Sequence, residues 1–576
     1  MAEDKLYEVE VKTGVAMKMR DGVELQADIY TPKEDGEYPV LLLRLPYDKT
    51  VAEVQALMHP EWYARHGYIV VSQDTRGRGA SGGEFRPFHD ECNDGVDTIK
   101  ACVKLKKSNG KVGTYGFSYP GQTQLLSAVK RPKGFTTMIP ALTSDGVYDD
   151  WTFKNGVLHQ AFVQGWAAYL SIGEVFRKGK PAEVRPAIQR LTGICDSYDH
   201  LPLTNHPDLP KKYNSFYYEW LKHPTYDAYW KKWQTADKYG EIDVPALHIG
   251  GWYDIFVEGN IRNYLGLKEG AKTEEARAGQ KLVIGPWYHM PWTQAMGEMD
   301  FGPEARNRTD ELALRWFDHC MRGVDNGIMD EPPISVFVMG ANKWRQADEW
   351  PLKNTNFTKF YMHSGGHANS LNGDGMLTRQ EPGEEPHDIY VADPGYPVPS
   401  LGGRSCCLAA FAPMGPMDQR PVETRNDVLV FTSAPLAQDV AVIGPVDATL
   451  YAASSADDTD FTVKLVDVYP DGRAINIVDA IQRASHRESS EKPSAIKPGK
   501  VYEYSFRVGS TAIRFAKGHR MRVEIASSNF PTFERHLNKF RKKMDGGYYD
   551  GFVATQRFFH DSQRPSHITL PLVPAA

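Results

Sequence analysis

The stretch GTYGFSYPGQTQ, residues 113–124, sets a serine between glycines just after a short apolar run. A strand, a sharp turn and a helix in that order lift a serine hydroxyl to the end of a sheet, with the helix N-terminus facing an oxygen that turns negative. Val112 to Tyr115 supplies the strand, and QTQLLSAVK supplies the helix. The same letters also fit a Ser118 that only caps the helix, because serine favours that position. Glycine at 120 would complete the G-x-S-x-G pattern. Pro120 stands there with Gly121 behind it, and proline is tolerated in a first helical turn, where its missing N–H has no intrahelical partner.

A hydroxyl becomes a nucleophile only when a base within hydrogen-bond reach takes its proton, and the base needs an anion to hold its tautomer. Two later apolar runs end on such residues: ALHIGGWYD on Asp254 and KLVIGPWYH on His289. Serine, then acid, then histidine, each behind a strand, is the chain order of an α/β-hydrolase triad. Taken singly, Asp254 reads as a turn cap and His289 as a core histidine. The ordered trio favours nucleophile, orienter and base.

Positioning three distant side chains requires a sheet. VAMKMRDGVELQADIYTP alternates around Asp21-Gly22, a hairpin signal with a type I′ residue pair. The runs YPVLLLRLPYD, YIVVSQDTRG and KVGTYGFS are separated by the helical patterns EVQALMHPEWYARHG and CNDGVDTIKACVKLKK, so βαβ units and a buried parallel sheet are expected. Over 149–239 the strand pattern gives way to aromatics at helical spacing, which predicts an inserted helical cap. The core, 1–148, resumes over 240–349. From 350 to 576 short alternating runs predict a β-sandwich of jelly-roll type. The fold class is α/β: a hydrolase core, an inserted helical cap and a C-terminal β-sandwich.

The chain of 576 residues has a net charge of -6 from near-balanced acids and bases, so no global field draws it to nucleic acid or anionic lipid. No apolar run is long enough for a membrane span, and the charged N-terminus lacks the pattern of a signal peptide. The six cysteines, at 92, 102, 195, 320, 406 and 407, form no C-x-x-C pair. Reduced thiols in the cytoplasm are the expectation.

Weaker motifs have structural readings. Arg76 and Arg78 in DTRGRGASGGEF resemble an anion-binding loop, with carboxylate pairing the preferred alternative. Residues 370–381, SLNGDGMLTRQE, approach a calcium loop through Asn372, Asp374, Gly375 and Glu381, but position one is Ser370 and no helices flank it. No zinc spacing is present, and neither metal nor cofactor is expected.

Beyond these readings, LLRLPYDK, QDTRGRGASGGEF, GFSYPG, GGWYD, GPWYH, FDHCMRGVDNG, EPPISVFVMGANKWR and ASSNFP resemble the cocaine esterase and X-Pro dipeptidyl-peptidase family of serine hydrolases. The likeness runs from about residue 20 to 535, and the order of core, cap, core and jelly roll most resembles the bacterial cocaine esterase branch. The resemblance implies Ser118 as nucleophile, His289 as base and Asp254 as orienter, with the Tyr47 hydroxyl and the Tyr119 backbone N–H holding the oxyanion. It also places Trp151, Trp166 and Phe256 around a bulky or aromatic acyl group. The expected substrate is a small ester cleaved through an acyl-enzyme. Amide-bond acylase and X-Pro dipeptidyl-peptidase activities are the alternatives within the family, and an inert core with a carbohydrate- or partner-binding β-domain is the alternative outside it. DIFVEG offers only Glu258 near Asp254, which disfavours an ammonium-selective site. Homo-oligomerisation is left open.

Overall fold

The computed structural model describes residues 6–50, 57–407, 409 and 412–574. Ten core strands form one sheet: β1 (Val9–Lys18), β2 (Glu24–Pro32), β3 (Tyr38–Leu45), β4 (Ile69–Asp74), β5 (Ser108–Phe117), β6 (Phe135–Ala141), β7 (Ala246–Gly251), β8 (Gln280–Gly285), β9 (Ile334–Val338) and β10 (Lys343–Ala347). In this numbering the spatial order is 1-2-4-3-5-6-7-8-9-10. β4 and β3 run parallel, and every pairing from β3 through to β9 is parallel as well. β1, β2 and β10 are antiparallel at the two edges. The parallel strands are buried on both faces, β3 completely so, which is why their sequences read as unbroken apolar runs.

The β1–β2 hairpin turns with a positive φ of 90° at Gly22, while Asp21 keeps a negative one. A type I′ turn needs positive φ at both residues, so the expected turn type is corrected. Met19 and Gly22 instead close a hydrogen-bonded turn, with Gly22 N donating to Met19 O at 2.9 Å. Between strands lie α1 (Pro60–Arg65), α2 (Glu91–Val103) and α3 (Tyr119–Ala128). The helical pattern anticipated over 53–67 is present as α1, and residues 51–56 lie outside the described residues.

After β6 the chain leaves the sheet for α4 (Gln160–Lys178), α5 (Pro181–Thr192), α6 (Ser215–Trp220) and α7 (Ala228–Lys231), with a two-stranded pair at Phe153–Lys154 and Val157–Leu158. Their aromatics share one buried cluster with residues of the core. α8 (Val257–Gly270) comes after β7. Arg262 on α8 binds Asp145 with two N–H···O bonds of 2.8 and 2.7 Å and also reaches Asp150, tying this insertion to the sheet.

The C-terminal part is an 11-stranded β-domain. Its longest pairing joins Val440–Ser454 to Tyr502–Phe515. Its α-helical content among the described residues is the single turn Arg420–Glu423. The acidic side chains of the calcium-like loop face other partners: Asp374 accepts from Gly365 N at 2.9 Å and Glu381 from Tyr361 at 3.2 Å.

Candidate active site

β5 ends at Phe117 and α3 starts at Tyr119, leaving Ser118 alone in the turn with φ 67° and ψ -127°. A non-glycine residue held in the left-handed region is uncommon and marks a strained turn. Ser118 N donates to Ala141 O at 2.9 Å and Leu142 O at 3.1 Å, pinning the turn to the end of β6. The Ser118 side chain makes no capping bond to α3, so the helix-cap reading is excluded. Local packing explains the departure from G-x-S-x-G. A Cβ at Gly121 would lie 2.7 Å from Thr143 Cβ, and one at Gly116 would lie 2.6 Å from Pro120 Cβ. Glycine is therefore required at 116 and 121, while the proline at 120 fills the space that Gly116 leaves.

Asp254 and His289 stand beyond the ends of adjacent strands. β7 and β8 pair in register up to Gly251 opposite Gly285, and the turns beyond them carry Asp254 and His289. His289 Nδ1 lies 2.7 Å from Asp254 Oδ1, so Nδ1 carries the proton given to the carboxylate and Nε2 is left as acceptor. Phe256 N donates to Asp254 Oδ2 at 3.1 Å. Burial pushes the Asp254 carboxyl above its ordinary value, and His289 and the Phe256 N–H oppose that rise. The imidazole is held edge-on between Phe117 and Phe256, each ring centroid 5.4 Å away. Phe117 is the chain neighbour of Ser118, so the base adjoins the serine turn. No hydrogen bond joins Ser118 to His289 among the described residues, and catalytic hydrogen bonds often tighten only around substrate.

Tyr47 lies just beyond β3, and Trp166 Nε1 donates to its hydroxyl at 3.2 Å. An indole N–H cannot accept, so this bond does not use the phenol's own proton. The neighbouring backbone is fixed by two buried charges from the DTRGRG segment. Arg78 Nε donates to Pro46 O at 2.6 Å and its NH1 to Leu170 O at 3.0 Å on α4, while Asp74 accepts from Lys49 N at 2.7 Å. Tyr119 N opens α3 and has no intrahelical acceptor. The Tyr119 side chain is a strut, donating to Glu91 at 2.8 Å and accepting from Phe88 N at 3.0 Å. The oxyanion role that the family resemblance implies for Tyr47 predicts that replacing it by Phe lowers kcat about 10²- to 10³-fold, the usual effect of losing one such donor. Steady-state kinetics on an aryl ester beside a thermal melt checks this; a Tyr47→Phe rate within twofold of wild type rules the hydroxyl out.

Trp151 and Phe256 stack at 4.6 Å, and Trp166 lies 5.9 Å from Trp151 and 6.2 Å from Tyr119. All these rings are buried, and Trp151 and Trp166 pack against the Tyr119 side chain that follows Ser118. A cavity of about 590 Å³ opens at Tyr47, lined also by Arg78, Tyr169 and Phe176.

Several contacts leave no trace in short stretches of sequence. Arg78 spans the Tyr47 loop and the cap, a role beyond the carboxylate pairing anticipated for it; Arg76 does pair with Asp94 at 2.9 and 2.7 Å. Glu258 is occupied by Arg404 at 3.1 Å and by the hydroxyl of Ser510 at 3.1 Å, so the β-domain braces the acid-bearing turn. Cys406 and Cys407 are joined by a disulfide. That corrects the expectation of reduced thiols for this pair: the two are adjacent in sequence, and C-x-x-C spacing carries no information about neighbouring cysteines. Among the described residues the other four cysteines form no disulfide. The cysteine pair also meets His289, a Cys/His grouping that no sequence spacing signals.

An α/β-hydrolase sheet carrying a serine turn after β5, with an acid and histidine pair after β7 and β8, is the architecture of a serine hydrolase. Residues 21–291 match the X-Pro dipeptidyl-peptidase (S15 family), and residues 326–569 match the X-Pro dipeptidyl-peptidase C-terminal non-catalytic domain. The chain is 36% identical over 574 residues to the cocaine esterase of Rhodococcus sp. (strain MB1 Bresler), covering 98% of each chain. A solved α-amino acid ester hydrolase superposes with a TM-score of 0.78 at 26% identity, covering 100% of this chain and 98% of the other. An aminopeptidase from a marine sediment Thaumarchaeota archaeon shares the fold, with a TM-score of 0.81 at 24% identity and the same coverage. The chain belongs to the cocaine esterase and X-Pro dipeptidyl-peptidase family and is a serine hydrolase of the esterase class.

Proposed function

We propose that Ser118 is the nucleophile of a carboxylesterase that takes a bulky or aromatic acyl group. Ser118 Oγ attacks the ester carbonyl while His289 Nε2 takes its proton. Asp254 holds the imidazole in the tautomer that leaves Nε2 free to accept, and stabilises it once charged. Tyr47 and the Tyr119 N–H meet the developing oxyanion. His289 returns the proton to the leaving alcohol, and water, activated the same way, releases the acid and frees the serine. The observation that carries this reading is the His289 to Asp254 bond of 2.7 Å, made by an imidazole packed against the residue preceding Ser118.

Trp151, Trp166 and Phe256 supply a largely apolar aromatic surface suited to an aryl acyl group. The leaving alcohol faces the cavity at Tyr47. Glu258 is already paired with the Arg404 guanidinium and bonded by Ser510, so its charge is offset within the protein, which supports neutral esters over amino-acid or X-Pro substrates. We read the C-terminal β-domain as a jelly roll that braces the acid turn and the cap, and the protein as cytoplasmic. A panel of benzoate and acetate esters of one alcohol, with the matched anilides, tests the assignment. The expected order in kcat/KM is benzoate ester first, acetate ester second and anilides last; anilides cleaved as fast as esters would instead make the enzyme an amide-bond acylase.

A further inference from the structure

Two sulfur atoms stand against the imidazole. Cys406 and Cys407 lie on the β-domain segment that Arg404 ties to the acid-bearing turn, through Trp252 O at 3.1 Å and Glu258 at 3.1 Å, and Ser405 forms an isolated bridge with Asp254. The ligand atoms of Cys406, Cys407 and His289 all lie within 4.8 Å of one another. His289 and Cys406 are buried, 2% and 1% exposed. Thiolate sulfur and imidazole nitrogen are the ligands that Zn²⁺ and Cd²⁺ prefer, at about 2.3 Å for Zn–S and about 2.0–2.1 Å for Zn–N. Separations of this size suit three ligands of one ion. The rest of the site is already in place: a histidine whose Nδ1–H is held by a carboxylate is the arrangement that fixes ring and tautomer in metal-binding histidines. That leaves Nε2 as the nitrogen open to a metal.

We propose that reduction of the Cys406–Cys407 disulfide creates a three-ligand site for a soft divalent cation such as Zn²⁺ or Cd²⁺, which occupies His289 Nε2 and halts ester hydrolysis. Reduction takes two electrons from a dithiol reductant, which leaves as its own disulfide and passes its two protons to the chain sulfurs. The cation then displaces both thiol protons, forming two metal–sulfur bonds and one metal–nitrogen bond. The oxidised pair offers no thiolate and is insensitive to the metal. The loss of activity, though not the binding itself, rests on His289 being the base proposed above.

Cd²⁺ titration of the full chain separates the two claims. Protein is reduced with a dithiol, freed of it, and followed by the ultraviolet thiolate-to-Cd²⁺ charge-transfer band and by aryl esterase rate. Reduced wild type is expected to develop the band with one equivalent of Cd²⁺ and to lose activity in parallel, with recovery on adding a chelator. Oxidised wild type and the reduced Cys406→Ser/Cys407→Ser double variant, which retains the four other thiols, should show neither change relative to their own metal-free state. His289→Ala should keep the band but bind Cd²⁺ at least about tenfold more weakly. The proposal is overturned if the double variant, or the oxidised form, binds as tightly as reduced wild type, or if reduced wild type binds no stoichiometric ion. If the band tracks Cys406 and Cys407 while esterase activity is untouched, the metal site stands and the role given to His289 falls.

Discussion

Ser118→Ala is expected to yield a folded chain whose ester hydrolysis is roughly a millionfold slower, about 8 kcal/mol of lost transition-state stabilisation. The magnitude reflects the hydroxyl's part in the reaction: with no nucleophile there is no acyl-enzyme, and only substrate binding and the oxyanion donors remain to assist water. The fold is expected to survive because the Ser118 side chain makes no capping bond to α3, and alanine occupies the φ of 67° with the same strain as serine. A fluorophosphonate probe should label wild type and leave Ser118→Ala unlabelled, with melting temperatures within a few degrees of each other. Equal labelling of both proteins would refute the assignment.

Asp254→Asn is expected to cost about 10⁴-fold in kcat, the loss seen when an orienting carboxylate becomes an amide of the same shape. Asp254 is fully buried and bonds His289 Nδ1 and Phe256 N with its two oxygens. In the variant the backbone N–H retains the amide oxygen, so the amide N–H₂ faces Nδ1 and forces the imidazole proton onto Nε2. A protonated Nε2 cannot accept from Ser118. The wild-type pH profile carries the same physics. Burial raises Asp254, so it takes up a proton at higher pH than an exposed aspartate does, and a protonated carboxyl no longer holds the imidazole as an anion would. Wild-type kcat/KM should therefore fall on the acid side, at higher pH than an exposed aspartate would set. An Asp254→Asn rate within tenfold of wild type would show that the carboxylate does not orient the base.

Much of this architecture is legible in the amino-acid sequence for reasons of local physics. Strands buried on both faces write themselves as apolar runs, and the residues just past each run mark the end of the sheet where side chains converge. That is why Ser118, Asp254 and His289 can be picked out one strand end at a time. Tyr47 has no such signature: a tyrosine at a strand end reads as core packing, and only resemblance to a known family singles it out. The turn at Asp21-Gly22 is legible as a hairpin but not in its type, because glycine takes a positive φ at no steric cost while aspartate can adopt either sign. Arg78 is a different case. Its bonds to Pro46 and Leu170 join segments far apart in the chain, and no spacing within DTRGRG encodes them. The Glu258, Arg404 and Ser510 brace, and the meeting of Cys406 and Cys407 with His289, likewise depend on how the β-domain docks.

The most direct test of the central claim is to trap the covalent intermediate. Wild-type enzyme mixed with a slowly deacylating aryl ester, quenched in acid within the first turnover and digested, should yield the peptide containing GFSYPG heavier by one acyl group, with the modification on Ser118. Hydrolysis that proceeds at the full rate with no acylated peptide, or with the acyl group on another residue, would contradict it.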